Sequence, residues 1–176
     1  SSRLIHPIWS GPVQEFRMSE TFLDSPVRQD IRKKLIDGQT AVWVLLETKD
    51  DNKNKKAQEI LNKGIELSKK ELRLPDAFYE KDENTLSGTT ADQWRIDFEV
   101  MSISREDEDE IPFMTMMLKS QPGVMKYLNE PIVFVLYGRC RTLKGIPGHL
   151  LSEQHILESN RFLIDSCQCQ IKDQNP

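Results

Sequence analysis

Residues 131–142 read Pro-Ile-Val-Phe-Val-Leu-Tyr-Gly-Arg-Cys-Arg-Thr. The run from Ile132 to Tyr137 has no polar face, which marks a strand covered on both sides of its sheet. Pro131 fits the head of such a strand, where no ladder donor is required. Gly138-Arg139 reads as a tight hairpin turn, and a returning strand is expected from about Cys140 to Ile146. Beyond Pro147-Gly148, Ser152 and Glu153 have the character of a helix start. The helix that follows places Ile156, Leu157, Asn160 and Leu163 inward.

A second apolar run, Thr-Ala-Val-Trp-Val-Leu-Leu-Glu at residues 40–47, has the same two-sided character and predicts the first strand. Ahead of it, Ser25-Pro26 predicts a helix start, Val27, Ile31 and Leu35 share one face, and Gly38 is the expected end. After it, the polar stretch Thr48 to Lys56 leads into a helix capped by Asp51 or Asn52. That helix runs to about Leu72, with Ala57, Ile60, Leu61, Ile65 and Leu72 inward. A strand is expected at Ile96 to Ile103. The acidic run Glu106 to Glu110 then enters a short helix carrying Phe113, Met114, Met117 and Leu118, where acids suit the positive end of the dipole.

The irregular regions are residues 1–24, an arm holding Ile5, Ile8, Trp9, Val13 and Phe16, and the turn-rich charged stretch 75–94, read as a surface insertion. The division that results is an arm and helix over 1–38, one domain over 39–165 carrying the insertion 75–94, and a tail over 166–176.

At 176 residues the chain has room for one domain with a real core. A net charge of −4 argues against nucleic acid as the main partner, because phosphate binding calls for a basic surface. No apolar run approaches the ~20 residues that cross a bilayer. The chain starts without Met and stops in a polar stretch. That favours an exported or membrane-anchored protein whose signal or anchor lies outside these residues.

The order strand-helix-strand-helix-strand-strand-helix over residues 40–165 resembles the thioredoxin fold. Glu130-Pro131, followed by apolar residues, an aromatic, a glycine and a returning strand, is similar to the segment in which thioredoxins carry a cis-proline. The resemblance implies an α/β, thioredoxin-like domain: a four-stranded mixed sheet flanked by helices, with an extra N-terminal arm and helix. It also implies a cis Glu130–Pro131 bond. The family's Cys-x-x-Cys pair would sit after the first strand, where the helix dipole lowers the thiol pKa. Asp50, Asp51, Asn52 and Lys53 hold that place here, and none of them exchanges disulfides.

The chain has three cysteines, Cys140, Cys167 and Cys169. A one-residue disulfide within Cys167-Gln-Cys169 would be strained. If Cys140 opens the fourth strand, the end of the last helix returns close to it and all three sulfurs gather at one pole. Three readings stay open: free thiols, a disulfide from Cys140 to Cys167 or Cys169, or a thiolate site for a soft metal. Met114, Met116, Met117 and Met125 read as core filler. His6, His149 and His155 read as structural or surface residues, and Arg139 and Arg141 as ordinary ion-pairing groups. No Ser-His-Asp pattern, phosphate loop or metalloprotease motif is visible. The expectation is therefore a redox-inactive binding or assembly module without a cofactor, with an enzyme of unfamiliar site left open as a third option. It would recognise a protein partner through Glu130, Pro131, Asp50, Asp51 and Asn52, with strand-like contacts at the proline. The alternative is a thiol-disulfide or soft-metal protein working through the three cysteines.

Overall fold

The computed structural model describes residues 24–74 and 96–165. The expected arm up to residue 23, the insertion 75–94, the tail 166–176 and with it Cys167 and Cys169 lie outside the described residues. The elements are α1 (Pro26–Ile36), β1 (Ala41–Leu46), α2 (Asp51–Glu71), β2 (Phe98–Ile103), α3 (Ile111–Ser120), β3 (Ile132–Tyr137), β4 (Arg141–Thr142), β5 (Ile146–Pro147) and α4 (Glu153–Ile164). Short 3₁₀ turns fall at Glu108–Glu110, Pro122–Tyr127 and Gly148–Leu150.

The chain is an α/β fold with a mixed, open, five-stranded sheet in the order β2-β1-β3-β4, with β5 also on β3. β1 and β2 are parallel, Ala41 to Leu46 running beside Phe98 to Ile103. β3 is antiparallel to β1, with Trp43 opposite Val135. Every residue of β1 is buried, as its unbroken apolar run requires. Odd-numbered β1 and β3 residues (Trp43, Leu45, Val133, Val135) join Leu61 and Ile65 of α2 and Ile156 and Leu157 of α4. Even-numbered ones (Val42, Val44, Phe134, Leu136) join Ile31 of α1 and Phe113, Met114 and Met117 of α3.

Polar groups inside each face are paired. On the α2/α4 face, Trp43 Nε1–H donates to Asn160 Oδ1 at 3.0 Å and Asn160 Nδ2 donates to Ser68 Oγ at 2.9 Å. The Ser68 hydroxyl donates to the Gly64 carbonyl at 2.7 Å, so the chain of bonds closes on α2 itself. Gly64 is required there: a Cβ would lie 2.6 to 2.9 Å from three atoms of Ile156. On the other face the buried Glu110 carboxylate accepts from Ser25 Oγ at 2.6 Å and Val27 N–H at 2.8 Å, and so caps α1 from 85 residues away.

Three expectations are corrected. The fourth strand is not continuous: it splits into β4 and β5, which turns four strands into five. Gln121 holds the break open, its amide donating to the Leu143 carbonyl at 2.7 Å and accepting from Gly145 N–H. Cys140 therefore does not open a strand; it sits in the turn with φ +57° and is exposed. The Glu130–Pro131 bond is trans. Trans is the preferred state by about 0.5–1 kcal/mol for an X–Pro bond, and the backbone groups around it find partners in that form.

Candidate functional site

The carboxyl ends of β1 and β2, the start of α2 and the segment 127–131 meet at one end of the sheet. In an open α/β sheet this is the end where ligands are generally held. The start of α2 is shaped by Thr48, Asp50 and Asn54. The buried Asn54 side chain accepts from Thr48 N–H and donates to the Thr48 carbonyl, both at 2.8 Å, and so closes the strand-to-helix turn as a backbone pair would. Asp50 is the cap, its carboxylate accepting from Asn52 N–H at 3.1 Å and Lys53 N–H at 3.2 Å. That moves the cap one residue ahead of the expected Asp51 or Asn52, both of which are exposed within the first turn. The Asp50 carboxylate thus already takes two of the N–H groups at the start of α2.

Arg105, from the loop after β2, ties the opposite wall. Its Nη1 donates to the Leu128 carbonyl and its Nη2 to the Glu130 carbonyl at 2.7 Å. Burial lowers the pKa of this guanidinium from the ordinary arginine value. Lys53 Nζ reaches the Asn129 carbonyl at 3.3 Å. Glu130 N–H donates to the Tyr127 carbonyl and Gly148 N–H to the Pro131 carbonyl. The backbone at Glu130 and Pro131 is therefore spent within the molecule, and strand-like pairing with a partner at the proline finds no free groups. Pro131 itself is buried.

Two clefts flank this knot. One, of about 540 Å³, lies among Thr48, Lys49, Asp50, Arg105, Glu106 and Asn129, with Lys49 and Glu106 paired at 3.2 Å across its rim. The other, of about 290 Å³, has Lys53, Lys56, Ala57, Ile60, Glu130, Pro131 and His149 as walls. In it Glu130 Oε2 accepts from His149 N–H at 2.8 Å and lies 2.6 Å from His149 Nδ1. Burial pushes the Glu130 pKa up, but the hydrogen bonds from the His149 ring and backbone, with the charges of His149 and Lys53, outweigh it and hold the carboxyl below its ordinary value. An ionised carboxylate only accepts, so Nδ1 carries the proton and Nε2 faces away from Glu130. The Tyr127 ring lies 4.8 Å from the imidazole.

The structure places Asp50, Asp51, Asn52, Glu130 and Pro131 at one end of the sheet, where Lys53 Nζ reaches the Asn129 carbonyl. Cys140 is at the other end, beyond the pairing of Ala41 with Tyr137. The last turns of α4 point to that same end, alongside the C-terminal half of α2. Met114 and Met117 are core, Met116 is half-buried beside Arg28, and Met125 is exposed. Sequence reasoning missed Asn54, Arg105 and His149. Asn54 had a signal, an Asn in the first turn just after an Asx cap; Arg105 and His149 had none, because their partners lie 19 to 25 residues away.

Among the described residues no group of three His, Cys, Asp or Glu side chains could hold a metal ion, and no helix is long and apolar enough to cross a membrane. Comparison with protein-family models, with curated proteins and with solved structures finds no match.

Proposed function

We propose that this chain is a thioredoxin-like binding or assembly module without redox chemistry, and that it recognises a protein partner at the end of the sheet holding Asp50, Asp51, Asn52, Glu130 and Pro131. The observation that carries the reading is the Asp50 cap: the position that would need a thiolate is occupied by a carboxylate already bonded to two helix N–H groups. The element order from β1 to α4 differs from the one on which the thioredoxin resemblance rests in that the returning strand is split into β4 and β5. The open cleft beside the cap offers charged and amide side chains rather than a free strand edge, so side chains make the contact.

The test compares wild type with Lys49→Glu and Asn129→Arg, both on the cleft wall, in capture from native extract followed by direct binding of the purified captured protein. A partner bound by wild type and lost in both variants supports the reading. Capture insensitive to both variants, or turnover of a disulfide substrate with dithiol above background, overturns it.

The second reading is a thiol or soft-metal protein. One observation favours it: Cys140 is exposed and lies at the end of the sheet towards which α4 runs, and Cys167 and Cys169 follow α4 in sequence. Thiol counts with and without reductant, together with metal analysis, separate the two. Three freely titrating thiols and no bound metal leave the first reading standing.

A further inference from the structure

We infer that the cleft of about 290 Å³ between α2 and the Gly148–Leu150 turn receives an acidic side chain of the protein partner at Lys53 and Lys56. This rests on the partner-binding reading above and names the chemistry the partner presents.

The argument is one of unbalanced charge. Around the first cleft the acids are occupied, Asp50 by the α2 N–H groups and Glu106 by Lys49. Around the second the surplus is positive. Among the described residues neither Lys53 nor Lys56 forms a salt bridge. Lys53 spends a hydrogen bond on the Asn129 carbonyl, and its charge also acts on Glu130. The charged and titratable groups facing His149 are Lys53 and Lys56 from α2, Glu130 from the segment before β3, and Tyr127 with Lys126 over its ring from the preceding turn. Within the cleft, two lysines and one glutamate leave a net +1 from lysine and carboxylate side chains. His149 Nδ1 is held by Glu130. The floor is apolar, made by Ala57, Ile60 and Pro131.

A cationic rim over an apolar floor fits a peptide that sets a carboxylate beside an aliphatic side chain. The carboxylate is held by Lys53 and Lys56, and the aliphatic group covers Ile60 and Pro131.

The experiment uses a fluorescent peptide, acetyl-Leu-Glu-Leu-Glu-Leu, and its Gln counterpart, read by anisotropy against the full chain. The acidic peptide is expected to bind about tenfold more tightly than the Gln peptide, a scale set by unit charges at contact distance in a solvated site. Lys56→Gln and Lys56→Glu, both on an exposed position of α2, weaken binding in that order. Equal binding of the two peptides, no binding of the acidic peptide at millimolar concentration, or complete displacement by inorganic phosphate at constant ionic strength would each overturn it. Amide shifts on peptide addition separate the two levels. Movement at Thr48–Asp50 and Arg105 but not at Lys53–Ile60 and His149 sinks this inference and leaves the broader reading in place. Capture insensitive to Lys49→Glu and Asn129→Arg sinks the broader one.

Discussion

The two ends of the sheet are built on different principles. At the end holding Glu130 and Pro131, side chains from three separate elements tie down one backbone segment. Arg105 holds two carbonyls, Lys53 a third, and Glu130 receives His149. Asn54 closes the neighbouring turn with two further bonds. At the other end, the turn at residues 138–140 is marked by its backbone conformation. Gly138 and Cys140 both have positive φ, and among the described residues no side chain from another element bonds to the turn. The first end is therefore rigid through cross-ties and can hold side chains in place for a partner. The second is rigid only as far as its hairpin is, and it leaves its cysteine exposed. Preorganised polar groups make the better recognition surface, because less freedom is lost on binding.

Four measurements would break or sharpen that contrast. The largest effect is expected for Asn54→Leu, which orphans the Thr48 N–H and carbonyl in a partly buried turn. Urea unfolding should show a loss of about 2–3 kcal/mol. A loss under about 0.5 kcal/mol, the scale of an ordinary surface change, would mean that the turn does not depend on its cross-tie. Next comes Arg105→Met, which keeps the aliphatic bulk and removes two charge-assisted bonds to carbonyls. About 1.5–2 kcal/mol should go, with faster amide exchange confined to residues 127–131. Exchange that quickens across the whole sheet instead would place Arg105 in global stability rather than in this segment.

At the opposite end Cys140→Gly should stabilise by up to about 1 kcal/mol, since glycine adopts φ near +57° without the Cβ penalty. A destabilised variant would show that the thiol itself makes contacts that offset the strain. The smallest effect belongs to Glu130. Its folded pKa lies below the ordinary value, so its pairing with His149 adds stability at pH above the unfolded glutamate range and loses it as pH falls through the folded pKa. Wild type should exceed Glu130→Gln in unfolding midpoint at neutral pH, and the difference should close on acidification below about pH 4, where the unfolded carboxyl is also protonated. A difference that persists under strong acid would mean that shape rather than charge stabilises the pair.

Most of the scaffold was legible because its signals are local. The run Ile132 to Tyr137 has no polar position, and the structure buries its first five residues in the middle of the sheet. Ser25, Gly38 and Ser152 cap or end helices as their residue types imply. The returning strand was misread because its interruption depends on Gln121, 22 to 24 residues earlier in the chain. Between Cys140 and Ile146 only Gly145 hints at a break, an isolated glycine in a strand pattern that sits tight against Phe134. The candidate site was legible only in outline. Its carboxylates could be placed at the start of a helix, but the arginine and histidine that organise it became neighbours through folding alone.

Sequence alone determined the order of the elements from α1 to β3, the two-sided burial of β1 and β3, and the absence of a thiol pair after β1, because each depends on residue type and short-range period. Tertiary structure decided the trans Glu130–Pro131 bond, the break between β4 and β5, and the meeting of Lys53, Arg105, Glu130 and His149. Those features are set by hydrogen bonds between distant segments, whose partners no local pattern encodes and which only the closed sheet brings within reach.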